Sequence, residues 1–108
     1  MKNLFVSAIA LLATVSLSAQ DVTPIYNEAA AAYSAKDFAT AAAKFEQVID
    51  QGIDLDEAAT MVATAKSTLP KCYYMLGGAA MRTKNYETAL DNFAKSAELA
   101  ELYGDMQQ

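Results

Sequence analysis

Two stretches decide how this chain is read: Ala35-Lys36-Asp37-Phe38-Ala39-Thr40-Ala41-Ala42-Ala43-Lys44-Phe45 and Thr83-Lys84-Asn85-Tyr86-Glu87-Thr88-Ala89-Leu90-Asp91-Asn92-Phe93. Each carries a lysine, a short polar residue, an aromatic, an alanine three residues later and a phenylalanine four beyond that. Self-similarity at a fixed spacing outranks any single motif. Each copy is one supersecondary unit, and it buries its apolar face only against a neighbour.

The residues around these stretches predict helix throughout. From Asp21 onward Ala, Glu, Lys, Leu and Met dominate, the only prolines are Pro24 and Pro70, and no apolar/polar alternation of strand length occurs. A first helix is expected from Thr23-Pro24, a cap followed by proline at the first helical position, to about Ala35, with Ile25, Ala29 and Ala32 inward. Lys36-Asp37 forms a turn. The second helix carries Phe38, Ala41, Ala42, Phe45, Val48 and Ile49 on one stripe, and Gly52 ends it. Asp54 to Glu57 reads as a variant capping box for a third helix. Its stripe runs Leu55, Ala58, Val62, Ala65, Leu69, Cys72, Leu76 and Ala79. Pro70 lies inside that register, so the segment is one long kinked helix or two nearly coaxial ones restarting at Ser67 or Thr68. A last helix runs from Tyr86 to about Tyr103, with Gly104 as its stop.

The repeated pattern resembles the tetratricopeptide repeat. The second unit carries it at Tyr73, Leu76, Gly77 and Ala80, then Tyr86, Ala89 and Phe93. The first carries it at Ile25, Ala29 and Ala32, then Phe38, Ala41, Phe45 and Val48. The resemblance implies an all-α fold of antiparallel helical hairpins, a short solenoid of two repeats, at about 22–51 and about 54–104. Small residues such as Ala29 and Gly77 would let paired helices approach. Phe38 and Tyr86 are 48 residues apart, against the 34 of an ordinary repeat. The excess is about four turns at 3.6 residues each, which keeps the same face inward, and is assigned to an N-terminal extension of the third helix.

By the same resemblance, the first helix of each unit lines a concave surface that holds a peptide or a partner helix. The positions expected there are Tyr26, Ala30 and Tyr33 in the first unit and Lys71, Tyr74, Gly78, Met81 and Arg82 in the second. Tyrosines give large contact area at little entropic cost, which suits an apolar ligand. The family's carboxylate-clamping subset uses Lys and Asn where this chain has Tyr, Ala and Gly, so that activity is not expected.

The last helix is expected to turn Ala89, Phe93, Ala97 and Ala100 inward. Leu99, Leu102 and Met106, with Tyr103 at the seam, then form an apolar assembly face. Terminal repeats ordinarily present a polar outer surface, so this face is expected to pack on a second copy, another protein or further repeats.

Composition bounds the chemistry. The chain has 108 residues, 8 basic against 13 acidic, a net charge of −5, no His, no Trp and one Cys. That length fits one small domain. Without histidine and with a lone cysteine there is no His/Cys zinc site, no Ser-His-Asp or Cys-His nucleophile system and no internal disulfide. The acidic balance argues against nucleic acid as a partner, because phosphate neutralisation supplies most of that affinity. Asp50, Asp54, Asp56 and Glu57 do not follow the order of a calcium loop, so no metal and no cofactor is expected. Cys72, in an apolar stripe, reads as a buried inert thiol.

Residues 1–19 read as a secretory signal peptide: Lys2 supplies the positive start, Leu4 to Leu17 is uncharged and apolar, and small residues follow. Cleavage after Ala19 fits best, with Ser18 the near alternative. The apolar run is shorter than the ~18 to 20 residues of a spanning helix. Residues 20–108 then form the helical domain. A chain of this size buries only about 60% of its unfolded surface, so its core is thin and support from idealised helix packing or from a partner is expected. The sequence therefore predicts a non-catalytic protein-interaction module exported to a bacterial periplasm or beyond. The alternative is a structural piece of a longer repeat scaffold that assembles through its C-terminal helix.

Overall fold

The computed structural model describes residues 21–104, which form four α-helices and, among the described residues, no strand. Segment 1–19, where a signal peptide is expected, and Met106 lie outside the described residues. Helix α1 spans Thr23–Ser34, α2 Phe38–Gly52, α3 Ala59–Arg82 and α4 Tyr86–Gly104, with a 3-10 turn at Asp56–Ala58 leading into α3. The fold is all-α. Helix α3 is central, packed against α2 on one side and α4 on the other, while α1 packs on α2 and touches α3.

The stripe expected on α2 is the one that is buried. Ala41, Ala42, Phe45, Val48 and Ile49 all lie in the core, and Phe38 packs at its edge. Asp37 begins the helix, its Oδ1 accepting the Thr40 N–H at 3.3 Å, so the aspartate of the turn is also a cap. Gly52 closes the helix against α3: a Cβ there would stand 2.9 Å from Val62 Cγ2 and 3.1 Å from the Ala58 Cβ. Only glycine permits that approach.

The ends of α1 and α3 differ from expectation. Thr23 is already helical, and Asp21 rather than Thr23 supplies the side-chain acceptor, its Oδ1 taking the Thr23 N–H at 2.9 Å. Asp54 and Glu57 make no capping box. The chain enters α3 through the 3-10 turn, whose start at extended Leu55 carries no side-chain cap. A 3-10 turn satisfies leading N–H groups with backbone carbonyls, so the carboxylates are not needed.

Helix α3 is continuous through Pro70. Its stripe is buried from Ala58 to Cys72, then turns: Gly77 and Ala80 are buried where Leu76 and Ala79 were expected. The buried face rotates because the neighbour changes from α2 to α4. The Phe93 ring fills the space beside Gly77, where a Cβ would lie 2.7 Å from Cδ1 and Cε1. The Ser96 hydroxyl donates to the Pro70 carbonyl at 2.8 Å, tying α4 to the middle of α3.

The setting of α4 corrects the expectation most. Ala89 is buried, but Ala97 and Ala100 are exposed, while Leu99, expected on an outer face, is 7% exposed and joins the cluster holding Ile49 and Leu69. A leucine covers more core than an alanine does, and the helix is rotated to use it.

Candidate functional site

The two hairpin turns share one backbone geometry. Lys36 and Lys84 both adopt left-handed backbone, with φ of 66° and 64°. Lys36 N–H donates to the Tyr33 carbonyl and Asp37 N–H to Ala32. Lys84 N–H donates to Met81 and Asn85 N–H to Ala80. Both are the paired hydrogen bonds of a Schellman ending. The aromatic packing repeats as well. The Tyr26 ring lies 6.2 Å from Phe45 and the Tyr74 ring 5.5 Å from Phe93, pairs that are 48 residues apart at both members.

Over the middle of α3 lies an open groove of about 570 Å³. Its floor is Lys66, Ser67, Pro70, Lys71, Tyr74 and Met75. Tyr33 at the end of α1 forms one wall, and Ser96, Ala100, Tyr103 and Gly104 of α4 the other. Of the eight positions expected on a concave surface, three converge here: Tyr33, Lys71 and Tyr74. The other five do not line it. Tyr26 is half-buried with its ring edge-on to Phe45, and Ala30, one turn further along α1, is half-buried and outside the groove. Gly78, Met81 and Arg82 lie further along α3, beyond the reach of the α1 wall.

Sequence reading missed Lys66 and Pro70, although 66, 70 and 74 follow the four-residue spacing of one helical face. It placed Tyr103 at the seam of the C-terminal face and did not connect it with the groove. The Tyr103 ring is half-buried, lines the groove and two smaller adjoining cavities, and carries Lys66 Nζ 5.6 Å from its centroid. Burial raises the Tyr103 pKa, assisted by the carboxylates of Asp50 and Glu46. Of the remaining assembly-face residues, Leu99 is buried and Leu102 is exposed.

Lys66 and Lys71 are the charged residues lining the groove, beside three tyrosines and the Pro70 and Met75 side chains. The two groups whose protons are held most firmly lie outside it. Burial pushes the Cys72 thiol up to about 11. Burial, then the hydrogen bond and charge of Glu46, push Tyr73 up to about 12, with the hydroxyl donating to Glu46 Oε2 at 2.7 Å. Neither is poised to act as a base or nucleophile near neutral pH. Among the described residues no helix is long and apolar enough to cross a membrane, and no three acidic or cysteine side chains gather as a metal site.

Fold and site together define an all-α array of helical hairpins with an aromatic, lysine-bearing groove. No protein-family model, curated protein or solved structure matches the chain.

Proposed function

We propose that this chain is a non-catalytic protein–protein interaction module of tetratricopeptide type, working in the bacterial envelope, and that the groove over α3 holds a peptide or partner helix. The groove itself carries the reading. Tyr33, Tyr74 and Tyr103 converge on it from three helices, with Lys66 and Lys71 between them. Large, stiff aromatic side chains at the centre of a concavity are the residues that supply most binding energy when a partner desolvates them. The matched turns at Lys36 and Lys84 and the matched Tyr–Phe pairs support the repeat assignment. The exported location rests on the leader reading of residues 1–19.

The test is a peptide-display selection against the folded chain, followed by titration of the enriched peptides. Tyr74→Ala and Lys71→Ala should each weaken binding while leaving the helical circular dichroism unchanged. Peptides that bind both variants as tightly as the parent would remove the groove from the account.

A further inference from the structure

The charges of this chain are unevenly placed. It holds 13 acidic residues against 8 basic ones, yet the 24 residues of α3 include Lys66, Lys71 and Arg82 and not one Asp or Glu. Acid sits on the helices that flank it: Glu46 and Asp50 on α2, and Glu87, Asp91, Glu98 and Glu101 on α4. The groove whose floor is α3 inherits that asymmetry. Lys66 and Lys71 line it, and among the described residues no carboxylate does.

Of the two lysines, Lys71 belongs to the open groove alone. Lys66 stands over the Tyr103 ring and also borders the adjoining cavity, which Asp56 lines as well. Lys71 is exposed and forms no ion pair among the described residues. Tyr74 and Met75, three and four residues on, share its helix face and are 60% and 40% exposed. A cation followed by an exposed aromatic and a thioether makes a seat in two parts. One part wants an opposite charge, and the other, about 5 Å further along the helix, wants apolar surface.

We infer that the groove takes a segment of another protein in which a side-chain carboxylate stands next to an apolar residue. The carboxylate meets Lys71, and the apolar side chain lies on Tyr74 and Met75. The proposal rests on the groove reading above and names the partner's chemistry. Charge complementarity selects this occupant. The field of Lys71 is local, fading within a Debye length of roughly 8 Å at physiological salt. Beyond it the chain's net charge of −5 repels a polyanion or a second copy of equal charge. What fits is a short segment that intersperses acid with apolar residues.

The experiment pans two random peptide display libraries against the full chain, one containing Asp and Glu and one with Asn and Gln in their place. Enriched sequences are then titrated as labelled peptides, amidated at the C-terminus so that every carboxylate is a side chain's. Enrichment from the first library alone is expected, with an acid beside an aromatic or aliphatic residue. Replacing that acid by its amide should weaken binding roughly threefold to fivefold, and Lys71→Glu should weaken it further, because repulsion replaces attraction. A Lys in place of the peptide's acid should restore affinity for Lys71→Glu, which a merely unfolded variant would not do. Equal enrichment from both libraries, or peptides indifferent to Lys71→Glu, overturns the proposal. If those peptides still lose affinity for Tyr74→Ala, the groove reading stands without it. Peptides that bind only with a free C-terminal carboxylate also overturn it. Enrichment from neither library removes the groove and its acidic partner together.

Discussion

Lys36 and Lys84 hold the same left-handed backbone, φ 66° and 64°, at the ends of α1 and α3, and their turns close with the same pair of hydrogen bonds. A side chain in this conformation costs about 1–2 kcal/mol, which glycine avoids. The turn geometry is therefore imposed by the helices on either side, each already committed to packing.

Replacing either lysine should then stabilise the chain. Lys36→Gly and Lys84→Gly are each expected to gain about 0.5–1 kcal/mol, after allowing for glycine's freer unfolded state. Because the hydrogen bonds of the two turns have no partner in common, the gains should add. Urea midpoints of the single and double variants check this. A loss at either site would mean the turn is not held as described.

The adjacent glycines of α3 should respond with opposite signs. At Gly78 a Cβ meets nothing closer than Arg82 Nη1 at 3.9 Å, so Gly78→Ala should gain up to about 1 kcal/mol of helix propensity. At Gly77 the Phe93 ring stands 2.7 Å from the new Cβ and must move. Gly77→Ala is expected to cost about 1–2 kcal/mol net, an overpacking loss exceeding the propensity gain. Thermal melts of the two variants, measured side by side, decide it.

Leu99 and Leu102 separate core from surface on α4. Leu99→Glu places a carboxylate among apolar neighbours, beside a cavity that Glu46 and Asp50 already line, and should cost roughly 3 kcal/mol or more. Leu102, 59% exposed, should tolerate Glu within about 0.5 kcal/mol. Chemical denaturation of both variants gives the comparison. Equal effects would contradict the rotation assigned to α4.

The legibility of the fold follows the size of its side chains. Phe45, Val48 and Ile49 made the buried face of α2 plain in the sequence, because bulky residues at offsets of three and four leave one inward direction. In α4 the alternatives were Ala97 with Ala100 or Leu99 with Tyr103, and alanines on one side beside leucines on another gave two apolar faces of similar strength. Only the position of α3, with Ser96 reaching the Pro70 carbonyl, selects between them. The groove was half legible for a related reason. Tyr33, Lys71 and Tyr74 belong to the repeat pattern, whereas Lys66 enters from the extension of α3 and Tyr103 from the last turn of α4, neither of which the pattern describes.

Alkaline pH should loosen the core. Cys72 rises from 9.0 to about 11 and Tyr73 from 10.0 to about 12, so the fold favours both protonated forms. The unfolded chain loses these protons first. Their contribution is complete below about pH 9 and is lost progressively between pH 9 and 12. Denaturant midpoints across that range should fall, and Tyr73→Phe should reduce the fall above pH 10. In the native chain at pH 8, Cys72 should resist thiol reagents until denaturant is added.

The proposed function requires that the groove built from Tyr33, Lys71, Tyr74 and Tyr103 bind a partner segment. The most direct measurement is the affinity of display-selected peptides for the chain and for Tyr74→Ala, whose side chain is 60% exposed and can be removed without opening the core. Peptides that compete with one another and bind Tyr74→Ala at least tenfold more weakly are expected. Selected peptides that bind the variant unchanged, or a selection that enriches none, would contradict it.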